Sequence, residues 1–135
     1  MRTNTVARAA AVLVGLEGAA LAALAVWQTV AIASGDTAAL DSAIALLVLT
    51  VVGVLAVMAF AVAIWRGLSW GRSGGIVTQV MILAVALGAA TGAYAEPATA
   101  LILAVPALVT LVLLVIAVRD AGRGVPESVE DTHLP

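Results

Sequence analysis

One carboxyl group, Glu17, stands in the deep part of a long apolar stretch of this sequence, and two side-chain amides, Gln28 and Gln79, lie within such stretches as well. Glu17 lies between Leu16 and Gly18, about eight residues into its stretch, which at about 1.5 Å per residue puts it roughly 12 Å deep in a helix entering a bilayer. A carboxyl group at that depth costs a few kcal/mol on insertion scales, so it is expected to face other helices rather than lipid. Helical spacing puts Ala10, Leu13, Ala20, Leu21, Leu24 and Gln28 on its stripe, with the small-residue series Ala11, Gly15, Ala19 beside it. Gln79 enters a third stretch to a similar depth and shares a face with Gly75, Ala86, Ala90 and Ala93. The two faces predict a hydrogen bond between Glu17 and Gln79. Such a bond has two uses. It can hold helices in register, for about 0.6 kcal/mol, which is the leading expectation, or it can belong to a site that handles a proton, an ion or a ligand.

Other polar positions are read more plainly. Thr50, Thr78, Thr91 and Thr110 can return their hydroxyls to their own helix backbones. Pro106 sits mid-stretch and predicts a kink. Trp65, Arg66, Trp70 and Arg72 cluster where a chain leaves the bilayer and are expected to anchor it to headgroups. There is no cysteine, and the single histidine, His133, lies in a polar tail, so no metal site of ordinary spacing is expected. Gly71-Arg72-Ser73-Gly74-Gly75 lacks the strand and the lysine of a phosphate loop, and no nucleophile–base pattern is present. Neither an enzyme nor a cofactor is expected, and no basic stripe suggests nucleic acid.

These residues need elements to position them, and composition says which. Of 135 residues, 64% are hydrophobic and 10% charged, too apolar to present a polar surface to water. Four apolar runs, near residues 9–33, 40–65, 74–94 and 97–118, each reach the roughly 20 residues that span a hydrocarbon core. With no water to satisfy the backbone there, each must be a helix. The first run is expected to be a retained span rather than a cleaved signal, because Glu17 interrupts it and apolar character continues to Ile32. Short joints at Ser34-Gly35-Asp36 and Ala95-Glu96-Pro97 predict an up-down-up-down bundle, with Asp36 and Glu96 as helix caps and Pro97 at a first helical position. All six arginines, at 2, 8, 66, 72, 119 and 123, fall on one face of that bundle. The positive-inside rule makes that face cytoplasmic, placing both termini inside a bacterial plasma membrane. Residues 1–118 are then one transmembrane domain, and the acidic segment 119–135 is expected to be a disordered tail.

The segments Leu16-Glu17-Gly18, Trp70-Gly71-Arg72-Ser73 and Thr78-Gln79, in a lysine-free chain rich in Ala, Val, Gly and Arg, resemble those of a group of small uncharacterised four-span membrane proteins of actinobacteria. That resemblance covers nearly the whole chain and implies the architecture without an activity. A second, through four short spans with one Glu in the first, is to small multidrug resistance transporters. It implies that protons and cationic substrates compete at Glu17. The chain departs from that family in its strong arginine bias and in having few aromatic residues near Glu17. Three functions follow as expectations: a scaffold or accessory subunit that packs on itself or on a larger membrane complex, a proton-coupled transporter, and a lipid- or ligand-binding protein.

Overall fold

The computed structural model describes residues 2–124, which form four helices: α1 (Arg2–Ala33), α2 (Leu40–Trp65), α3 (Ser69–Thr91) and α4 (Pro97–Arg123). Each is long and apolar enough to cross a bilayer, and the chain is a multi-pass, all-α membrane protein. Two of the three joints are built on glycine. α1 ends where Gly35, at φ 73°, donates to Ile32 O while Asp36 donates to Ala31 O. α2 ends the same way, with Gly67 at φ 76° donating to Ile64 O and Leu68 to Ala63 O. In both, the left-handed residue lets two trailing N–H groups cover orphan carbonyls, a conformation that costs glycine least. The third joint follows Gly92, whose extended backbone ends α3, and leads to Pro97 at the start of α4.

Several boundaries differ from those read in the sequence. α3 starts at Ser69, not near residue 74, because the glycines that looked like breakers lie within it. It stops at Thr91, leaving Tyr94 fully in the loop. α4 continues past Val118 to Arg123, since nothing before Gly124 ends it and a terminal arginine suits the negative end of the helix dipole. The first five residues of the expected tail are therefore helical, while residues 125–135, including His133, lie outside the described residues. Asp36 does not cap α2, whose N-cap is Ala39 without a side-chain bond, because three residues intervene. Glu96 does occupy the N-cap of α4, yet its carboxylate accepts from the Thr99 hydroxyl at 2.8 Å rather than from backbone. α4 runs through Pro106 unbroken.

Close approaches set the packing. A Cβ on Gly18 would lie 2.6 Å from Met58 Sδ, and one on Gly71 would lie 2.5 Å from Ala63 Cβ and 2.8 Å from the Ile64 backbone nitrogen. One on Gly74 would run into the Phe60 ring. These pairings make α1–α2 and α2–α3 antiparallel, and Gly75 against Leu114 does the same for α3–α4. α1 packs on α2 and α4, and α3 on α4 and α2, so α1 and α3 stand diagonally across the bundle.

That bundle is unevenly filled. The core of Ala10, Ala11, Val14, Val57, Ala61, Ile64 and Leu114 sits in the half towards the α2–α3 joint, the arginine end. Towards the opposite end, only Ala86, Ala100 and Ala107 are buried among the described residues. The opposite end carries exposed Asp36, Asp41 and Glu96 and no arginine.

Candidate functional site

Glu17 lies midway along α1, Gln79 midway along α3 and Thr110 midway along α4. Antiparallel packing brings the three to one level, at the centre of the bundle. Gln79, fully buried, donates from Nε2 to Glu17 Oε2 at 2.6 Å, spanning the diagonal from α3 to α1. Thr110, also fully buried, turns its hydroxyl to Glu17 Oε1 at 3.4 Å. One half-buried carboxyl group thus ties three helices together. Because α3 starts earlier than its apolar run suggests, Gln79 is about 15 Å along it, at mid-helix rather than near its start.

The Glu17–Gln79 bond is the one that periodicity and depth anticipate. Thr110 is the member that sequence reasoning missed. Thr29, Thr50, Thr78 and Thr91 each return their hydroxyl to the carbonyl four residues back, at 2.8–2.9 Å. Thr110 points across the bundle instead. Its position level with Glu17 and Gln79 was the available signal, but that level depends on where α4 ends. Gln28, placed on the Glu17 stripe, does not join the cluster. It lies three turns further along α1, in a groove with Ala31, Thr37, Ala43 and Leu46 of the α1–α2 hairpin. Its Oε1 is buried and has no partner among the described residues, as is Gln79 Oε1.

The residues read as anchors gather at the arginine end. The Arg8 guanidinium lies 5.4 Å from the centre of the Trp65 ring, a cation–π contact that joins the start of α1 to the end of α2. Arg66 caps α2, and Arg72 donates to Gly67 O at 3.2 Å, bracing the turn. Trp70 meets Phe60 edge to face with centres 5.9 Å apart, while its own ring stays half-exposed. An apolar groove of about 570 Å³ opens between α2 and α3, lined by Gly53, Phe60, Gly74, Val77 and Met81 among others.

Compared with protein-family models, curated proteins and solved structures, the chain matches none.

Proposed function

We propose that this chain is a small protein of a bacterial plasma membrane, with both termini in the cytoplasm, acting as a scaffold or accessory subunit of a membrane assembly. The observation that supports this is the uneven filling of the bundle. At the arginine end the helices are closely packed, while at the acidic end the outer halves of α1 and α2 expose broad apolar faces, with Trp27 74% and Leu49 68% accessible. Apolar faces of this length accept either lipid or another helix, and small residues such as Ala19 and Ala23 allow a close approach there. The small series on α1 serves two ends: Ala11 and Gly15 pack within the bundle against α2, and Ala19 faces outward. Purification in a mild detergent followed by mass spectrometry tests this. A stoichiometric second copy or partner is expected, and a clean monomer under those conditions would count against the proposal.

A second reading, proton-coupled transport centred on Glu17, is favoured by the carboxyl group itself. A carboxyl group held at mid-bundle by groups from two other helices is an arrangement that ion and proton pathways use. Flux into proteoliposomes that disappears in Glu17→Gln supports it, and the absence of any Glu17-dependent flux would leave the packing role alone.

A further inference from the structure

The Glu17 cluster is one polar partner short. Gln79 is fully buried and its Oε1 is unpaired among the described residues. Turning the amide over does not cure this, since it would bury an unpaired NH₂ in place of the oxygen. A buried polar atom without a partner costs about 1–3 kcal/mol, and a cluster that only held helices together would gain nothing from it. Glu17 is also short of positive charge. The described arginines all lie towards one end of the bundle, and the neutral donors that reach the carboxylate are Gln79 and Thr110, the second at a loose 3.4 Å.

Around this deficit stand four side-chain oxygens from three helices at one level: both carboxylate oxygens of Glu17, Gln79 Oε1 and Thr110 Oγ1. Carboxylate, carbonyl and hydroxyl oxygens are the donors hard cations take. A single carboxylate balances a single charge, which selects a monovalent ion over a divalent one. The surroundings of the cluster are one-sided. The buried core closes the arginine end, whereas the opposite end is loosely filled and bears Asp36, Asp41 and Glu96, a field that gathers cations. Between that end and Glu17 lies the second unpaired buried oxygen, Gln28 Oε1.

We propose that Glu17, Gln79 and Thr110 form a binding site for one small alkali cation, of the sodium class, entering from the acidic end and exchanging there with a proton. The proposal deepens the transport reading by naming the ion, and it rests on that reading's carboxyl group.

The test is labelling of the full-length protein in liposomes or mild detergent with a hydrophobic carbodiimide, which attacks protonated carboxyl groups, and location of the adduct by peptide mass spectrometry. Sodium is expected to slow labelling of Glu17 relative to choline at equal ionic strength, by about tenfold when sodium stands about ten times above its dissociation constant. Thr110→Val and Gln79→Leu should each weaken that protection, with thermal unfolding confirming that the variants are folded, and Thr110→Ser should restore it. Equal labelling in sodium and choline would overturn the proposal. So would sodium protection that persists unchanged in folded Thr110→Val and Gln79→Leu, which would place the ion elsewhere. Glu17-dependent proton flux without sodium protection would leave the transport reading standing and defeat only the cation site.

Discussion

Replacing Glu17 with Gln keeps a side chain of the same length that can still bond Gln79 and Thr110, so a fold that needs only the polar link should survive it. Stability of Glu17→Gln is expected to fall by no more than about 1 kcal/mol, in keeping with the small net value of hydrogen bonds inside membranes. Glu17→Leu is different, because it leaves the fully buried Gln79 with neither end of its amide paired. It should cost about 1–3 kcal/mol. The double variant Glu17→Leu with Gln79→Leu should recover most of that loss, since removing both partners leaves nothing unsatisfied. Unfolding titrations of the three variants in mixed micelles check this. A double variant as unstable as the sum of its parts would mean that the pair does not interact as the structure shows.

The helices meet through some of their glycines and not through others. Gly71 faces the backbone of Ile64 as well as Ala63, and a backbone cannot step aside, so Gly71→Val should force α3 off α2. Overpacking of this sort costs about 1–3 kcal/mol or more. Gly53 and Gly88 have open space where a Cβ would go, and alanine there should be tolerated without loss. Thermal aggregation midpoints in detergent distinguish the two kinds, and a tolerated Gly71→Val would contradict the tight α2–α3 contact. The Gly-rich segment at the start of α3 is thus helix and packing surface rather than loop, which is why its propensity misleads. Tertiary contact with α2 outweighs the local preference of Gly71, Gly74 and Gly75 to leave the helix.

Charge divides the molecule along its long axis, with arginines at one end and Asp36, Asp41 and Glu96 at the other. The positive-inside rule then makes a definite forecast of orientation. Reporters inserted after Gly35 or after Glu96 should read outside the cell, and one inserted after Gly67 should read inside. Gly67 lies in the α2–α3 joint, whereas an insertion after Gly71 would cut α3. A reversed pattern would place the acidic, loosely packed end in the cytoplasm and change the side from which an ion reaches Glu17. The same division separates the half of the bundle that holds the buried core from the half in which few residues are buried. Cysteines introduced at Val26 or Val52, in a chain that has none of its own, should cross-link to a partner or a second copy, whereas one at the buried Ile64 should not.

Four spans, their alternation and the meeting of Glu17 with Gln79 were legible in the residues, because a bilayer forces every apolar run of about 20 residues into a helix and drives an intramembrane carboxyl group towards another polar side chain. The α2 boundaries, Leu40–Trp65, follow directly from where apolar character begins and ends. The helix ends at Ser69, Thr91 and Arg123 did not, since α1, α3 and α4 extend beyond or fall short of their apolar runs and hydropathy is blind to a helix that continues into water. Thr110 illustrates the deeper limit. A threonine hydroxyl has a partner at hand four residues back in any helix, so its turn towards Glu17 is decided only by which helices stand level and how close they come. The unpaired Gln79 oxygen is of the same kind: pairing can be expected from spacing, but whether every polar atom finds a partner depends on the three-dimensional surroundings.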